Sequence, residues 1–315
     1  MARASRVMLL EAIRSVLPGV SSNGVIEQAD CVVFHKGHAC SYNDEVTCRA
    51  RLPESLEGLS GAVKADPLVR LLSKLPDEEV DVETTGSELL IKSKGRRAGF
   101  PLVTEVLLPV GDLQLPKEWH EVPENFSEAL GLVAGCVRRD ESIFALACVH
   151  MTSEFMEASD NYQMARYRMD LPFKDVLLHG PAARSVAGWK VVAVGITEQW
   201  IWFRSEQSTE LGARLYVDKY PDFDRVVNEE GRVLKLPQGL VQAAEIAGLV
   251  ISDKIQGDSL QVNIERGRVI VEGRASISAS LLASLVKRST KCWFANNCLR
   301  VQTGNLTYCT VLQVA

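Results

Sequence analysis

Three stretches of this sequence repeat one order of parts: a short helical segment, an alternating or apolar strand, a turn and a second strand. The first runs from Ala65 to Leu72, then Val80 to Glu83 and Leu89 to Ile91. The second runs from His179 to Arg184, then Val191 to Val194 and Trp200 to Phe203. The third runs from Ser278 to Val286, then Cys292 to Ala295 and Leu299 to Val301. A related unit precedes each. Helical apolar spacing at Val7, Leu10, Ile13 and Leu17 leads to strands around Cys31 to Phe34 and Ala39 to Leu52; Phe126, Leu130, Val133 and Val137 lead to Ala145 to Thr152 and Glu154 to Met169; Leu240, Ala243, Ile246 and Val250 lead to Leu260 to Ile264 and Arg268 to Gly273. Six helix-plus-meander units, taken in pairs, predict an α+β chain of three tandem domains, 1–118, 119–230 and 231–315, each with two helices and antiparallel sheets.

Local signals agree with this parsing. Pro67 and Pro181 fall where the first helical residue is expected, a position whose missing N–H costs nothing, and Asp66 is expected as an N-cap. Thr85-Gly86-Ser87, Thr197-Glu198-Gln199 and Asn296-Asn297 supply the turns. Composition is that of an ordinary globular protein, with 46% hydrophobic and 24% charged residues. No run approaches the ~20 apolar residues of a bilayer crossing, and a cytoplasmic protein is expected. The eight cysteines lie mostly in apolar or alternating runs and read as reduced small hydrophobes. A net charge of −5 argues against a surface that is basic throughout, and 6% aromatics argue against many stacking platforms for single strands.

The first two domains also agree in detail. Tyr42-Asn43-Asp44 before Arg49-Ala50-Arg51-Leu52-Pro53 mirrors Ala158-Ser159-Asp160-Asn161 before Arg166 to Pro172. With Glu157 to Ala165 in the middle, Tyr220-Pro221-Asp222-Phe223 closing the second domain and the terminal Tyr308-Cys309-Thr310-Val311-Leu312 strand, the ordered set resembles the bacterial DNA polymerase sliding clamp, the polymerase III β subunit family. The resemblance spans essentially the whole chain. It departs at the middle motif, where the family usually has Thr-Asp-Gly-His-Arg-Leu, and at the tail, which usually ends in a Met-Pro-Met-like run. The chain resembles a diverged, phage- or mobile-element-type member.

The resemblance implies a DNA processivity factor that is not an enzyme and needs no cofactor: a homodimeric ring around double-stranded DNA, loaded by a clamp-loader ATPase, tethering a DNA polymerase at the replication site. It also implies a cleft for short partner peptides. Position by position, one wall falls on Ser159, Asn161, Tyr162, Gln163, Met164 and Leu171, and the other on Cys309, Val311, Leu312 and Gln313. The competing reading of Met164, Val311 and Leu312 is plain core.

A ring of this kind needs basic helices inside and acidic sheets outside. The helical segments 3–17, 64–74, 126–139, 179–190, 235–249 and 278–291 carry net charges of +2, +2, +1, +2, 0 and +3, which leaves the rest of the chain at −15. The DNA-facing candidates are therefore Arg3, Arg6, Arg14, Lys64, Arg70, Lys74, Arg138, Arg139, Arg184, Lys190, Lys287, Arg288 and Lys291. Contacts of this type neutralise phosphates without reading sequence. The bland alternative is that these are solvated helix faces.

Other chemistry finds little support. Cys31, His35, His38 and Cys40 have metal-ligating side chains, but a hairpin turning at Lys36-Gly37 leaves Cys31 about 13 Å along the strand from His35, too far for a common centre. No metal is expected. No P-loop, HExxH helix, GxGxxG helix entry or Ser-His-Asp order appears, so a nucleic-acid-processing enzyme, or a structural DNA-binding protein on a clamp-like scaffold, stands only as the alternative.

Overall fold

The computed structural model of the 315-residue protein describes residues 2–22, 25–228, 231–235, 252–257, 260–265, 268–271, 275–278, 291–295 and 298–311. Strand β1 (Ala2–Ser5) feeds α1 (Arg6–Ser15). Then β2 (Cys31–His35), β3 (His38–Tyr42), β4 (Val46–Arg51) and β5 (Gly61–Lys64) lead into α2 (Ala65–Lys74), followed by β6 (Glu79–Thr85), β7 (Glu88–Ser93) and β8 (Arg96–Pro101). After the two-residue β9 (His120–Glu121) the order recurs: α3 (Phe126–Ala134), β10 (Cys148–Thr152), β11 (Phe155–Ser159), β12 (Gln163–Arg168), β13 (Asp175–His179), α4 (Gly180–Ala187), β14 (Val191–Ile196), β15 (Trp200–Ser205) and β16 (Glu210–Arg214). A one-turn helix α5 (Asp224–Asn228) precedes β17 (Arg232–Lys235), β18 (Ser252–Gly257), β19 (Leu260–Glu265), β20 (Arg268–Val271), β21 (Ala275–Ser278), β22 (Lys291–Ala295), β23 (Cys298–Thr303) and β24 (Leu306–Val311). All six expected meanders are present, three with three strands (β6–β8, β14–β16, β22–β24) and three with four (β2–β5, β10–β13, β18–β21), where the apolar runs alone marked two.

The chain forms two compact units, Met1–Ser127 with Arg184–Leu215, and Glu128–Ala183 with Tyr216–Ala315. In the first, a four-stranded sheet has the order β1-β6-β7-β8 and an eight-stranded sheet the order β5-β2-β3-β4-β16-β15-β14-β9. Every ladder is antiparallel, and α1 packs beside α2. The core gathers Ile13, Val32, Val33, Leu68, Leu72, Phe203 and Leu211, all buried. At the β4–β16 junction, Thr47 pairs with Gly212. A Cβ at Gly212 would stand 2.8 Å from Thr47 Cγ2 and 3.1 Å from the Trp202 ring, so the ring lies where a side chain would otherwise be.

The second unit repeats the plan. Its eight-stranded sheet has the order β13-β10-β11-β12-β24-β23-β22-β17, and its four-stranded sheet β18-β19-β20-β21. The β12–β24 junction corresponds to β4–β16, and Met164 pairs with Cys309 where Thr47 pairs with Gly212. The same turn precedes both junction strands. Asn43 Oδ1 accepts from Val46 N at 2.8 Å with Asp44 at φ 73°, and Asp160 Oδ1 accepts from Gln163 N at 2.8 Å with Asn161 at φ 75°. Asn and Asp are the side chains that bond their own backbone two or three residues on and tolerate the left-handed region, which is why this dipeptide recurs in swapped order.

Helix boundaries differ from expectation. Helix α2 begins at Ala65, so Asp66 is not its N-cap; it sits in the first turn and bonds Arg70 Nε at 2.9 Å. Helix α3 stops at Ala134 before Gly135, and α4 stops at Ala187 before Gly188, glycine being the residue most enriched just past a helix C-terminus. The predicted helices over 235–249 and 278–291 lie largely outside the described residues; Ser278 and Lys291, at the edges of the second, are in strands β21 and β22.

Candidate functional site

The basic residues sort into three groups. Arg6 is half-buried and structural: Nε donates to Asp77 O at 2.6 Å and Nη1 to Leu72 O at 2.9 Å, satisfying carbonyls at and beyond the C-terminal end of α2. A second group is ion-paired. Arg3 lies in β1, not in a helix, and meets Glu79; Lys64 lies at the end of β5 and meets Asp30; Arg70 meets Asp66; Arg138, beyond α3, meets Asp140; Lys190, beyond α4, meets Glu206. The Asp30 carboxylate raises the Lys64 ammonium above its ordinary range, and Glu206 does the same for Lys190. The third group, Arg14, Lys74, Arg139 and Arg184, is exposed and makes no ion pair among the described residues; Arg14 only donates to Ser73 Oγ at 2.9 Å. Lys291 lies in a strand, and Lys287 and Arg288 fall outside the described residues.

An apolar cluster in the second unit gathers the other candidates. Met164 and Cys309 are buried side by side with Val227, and Phe223, Val226 and Cys298 pack against them. The β11–β12 turn supplies the polar rim: Ser159 Oγ donates to Gln163 O at 2.9 Å, and Asn161 N–H donates to Ser159 Oγ at 3.2 Å. Gln163 is held from two sides, Nε2 donating to Asp160 Oδ2 at 3.1 Å and Oε1 accepting from Tyr308 OH at 2.9 Å. Tyr162 stands out at 60% exposure. Hydrogen bonding to Cys298 and burial together push the Cys309 thiol far above its ordinary range, so this sulfur is a neutral apolar contact.

Leu171 is not part of this cluster. It is buried beyond the far end of β12, with its N–H bonded to Ser153 O at 3.0 Å. Val311 is the last residue of β24, paired with Cys298. Leu312 and Gln313 lie outside the described residues.

Sequence reasoning missed the third side of the site, the segment Tyr220–Asn228. Arg166 on β12 holds it: Nε and Nη2 both donate to Glu157 Oε2, at 2.9 and 2.8 Å, and Nη1 donates to Asp224 Oδ1 at 2.6 Å. The guanidinium lies 4.1 Å from the centre of the Phe155 ring. Glu157 Oε1 is 3.1 Å from His150 Nδ1, His150 Nε2 is 3.0 Å from Asp175 Oδ1, and the imidazole stacks on Tyr220 at 4.6 Å. Arg300 Nη1 donates to Val227 O at 2.6 Å. The signal was present in Tyr220-Pro221-Asp222-Phe223 but was read as a family mark, not as a wall.

In the metal candidate region, His35 pairs with His38 across the Lys36-Gly37 turn, and His38 Nε2 lies 3.1 Å from Arg49 Nη2. Among the described residues no three His, Cys, Asp or Glu side chains converge on a point, and no helix is long and apolar enough to cross a membrane.

No family model matches this sequence, and no match was found among curated proteins. Solved structures do match. The DNA polymerase III β subunit of Thermotoga maritima superposes with a TM-score of 0.78 at 14% identity, over 100% of this chain and 99% of that one. The Helicobacter pylori β clamp bound to a DNA ligase peptide gives 0.76 at 12% identity, over 99% of each. The Pseudomonas aeruginosa sliding clamp bound to griselimycin gives 0.75 at 14%, over 100% and 99%. From its first strand to its last, the chain has the fold of the bacterial DNA polymerase III β sliding clamp.

Proposed function

We propose that this protein is a DNA sliding clamp, a non-enzymatic processivity factor that closes as a homodimer around duplex DNA and tethers a replicative polymerase. The supporting observation is the end-to-end likeness to clamps, which covers 98–100% of both chains in the first three matches. In this reading the chain comprises three clamp domains, 1–118, 119–230 and 231–315. A clamp-loader ATPase opens and loads the ring, which works at the replication site in the cytoplasm.

Sheet edges favour the dimer. Each unit has one sheet of eight strands and one of four. The four-stranded sheet of the first unit ends in β8, and beside β8 runs a groove of about 420 Å³ lined by Pro67, Leu71 and Phe100 with Asp66, Arg70 and Lys74. An unpaired edge strand is a template for another chain. Joining β8 of one copy to the four-stranded β18–β21 sheet of the next makes eight strands again, and this head-to-tail contact closes after two copies. Arg14, Lys74, Arg139 and Arg184 then meet phosphates, and partner peptides dock beside the Met164–Cys309 cluster and along the C-terminal strand in the groove mode of peptide recognition.

Mass in solution tests this reading. Light scattering at micromolar concentration should give twice the 34.7 kDa chain mass, and a trimer, or a monomer that never closes in the presence of a loader and DNA, contradicts it.

A further inference from the structure

The apolar cluster around Met164 and Cys309 has one side that the sheet does not provide. Phe223, Val226 and Val227 all come from the segment Tyr220–Asn228, whose only regular structure is the five-residue α5. A helix this short does not hold itself together in water. Beyond its apolar packing and the stack of Tyr220 on His150, charge ties it to the sheet. The Arg166 side chain is 5% exposed, Glu157 3% and Asp224 64%, so a buried ion pair reaches out to one carboxylate on the segment. Arg300 takes the Val227 carbonyl at the other end.

We propose that Arg166 and Asp224 are positioning residues for partner-peptide docking: their ion pair bolts the Tyr220–Asn228 segment to β12 and so builds the wall against which the peptide's apolar side chains pack. The inference rests on the docking-groove reading above. Glu157 neutralises Arg166 within the sheet, and the segment supplies the second carboxylate, so loss of Asp224 leaves the buried pair intact and frees only the segment. Loss of Arg166 instead strands Glu157 without a counter-charge, which threatens the fold. Asp224 is therefore the informative position.

The test uses the full-length protein as wild type, Asp224→Ala and Asp224→Glu, with two readouts. The first is the rate of trypsin cleavage after Lys219 and Arg225, both exposed and both flanking or within the segment. The second is affinity for a labelled copy of the DNA ligase peptide carried by the Helicobacter pylori clamp. Asp224→Ala should speed cleavage and weaken the peptide by about tenfold each, a change of roughly 1.4 kcal/mol, with solution mass and melting temperature unchanged. Asp224→Glu should restore both. Peptide affinity within twofold of wild type, or an unchanged cleavage rate in Asp224→Ala, overturns the proposal. Faster cleavage with no peptide binding by any of the three proteins overturns the docking reading while leaving the anchor in place.

Discussion

Met164 on β12 pairs with Cys309 on β24, and the same ladder position in the first unit is taken by Thr47 and Gly212. The two junctions share their turn and their register, yet different groups cover them. Over Gly212 lies the Trp202 ring, buried and packed from the neighbouring strand. Over Cys309 lie only another sulfur and the Tyr220–Asn228 segment.

In the clamp reading, charge placed just after β24 should weaken docking. Leu312 follows the last described residue of β24, and Leu312→Asp should cost partner binding more than tenfold, over roughly 1.4 kcal/mol, because a peptide would have to desolvate the carboxylate. Pull-down of polymerase or loader, read against solution mass, decides it: normal binding by the mutant places partner contacts elsewhere.

At the filled junction the expectation is a stability effect with no binding effect. Gly212→Ala forces a Cβ against Thr47 and Trp202 and should destabilise the protein by about 1–3 kcal/mol, seen as a lower melting temperature with peptide affinity unchanged.

Ion pairing divides the basic residues by their value to DNA binding. Alanine at Arg14, Lys74, Arg139 or Arg184 should lower the slope of log affinity against log salt by about 0.9 each if each neutralises one phosphate. Arg3, Lys64 and Lys190, already paired, should change it less. Arg6→Ala should leave the slope alone and destabilise the α1–α2 pair by about 1.5–3 kcal/mol, the worth of hydrogen bonds to a charged group. Filter binding over a salt series, with thermal melts, separates the three classes.

Acid stability should carry the signature of Asp140. Hydrogen bonds from Ser142 and Arg138 hold its carboxyl down at about 2, against an ordinary aspartate value of 3.8. A carboxylate depressed on folding stabilises above its unfolded value and loses that contribution as pH falls through the folded one. The stability gap between wild type and Asp140→Asn should therefore be full above pH 4 and close as pH falls towards 2. A gap that persists at pH 2 contradicts the assignment.

Much of the fold was legible because its parts are local. Each meander alternates within a dozen residues, and the Asn43-Asp44 and Asp160-Asn161 turns write their geometry into two side chains. The junctions were not legible: β4 meets β16, and β12 meets β24, across more than a hundred residues, and strand pairing at that range is decided by packing. Helix ends were overrun wherever basic residues beyond Gly135 and Gly188 were counted as helical. Met164 and Cys309 were singled out through resemblance, whereas the Arg166–Asp224 ion pair joins residues that share no local pattern. Leu171 lies past the end of β12, apart from Met164 and Cys309, a separation that its closeness in sequence to the motif does not reveal.

Topology is the most direct test of a clamp. Protein loaded onto a nicked circular duplex should stay bound in moderate salt, and cutting the circle once should release it by sliding off the ends, since phosphate contacts alone are weak and salt-sensitive. Gel filtration of the DNA before and after the cut measures this. Retention on the circle with loss on the linear form is the predicted result; equal retention on both forms would contradict encirclement.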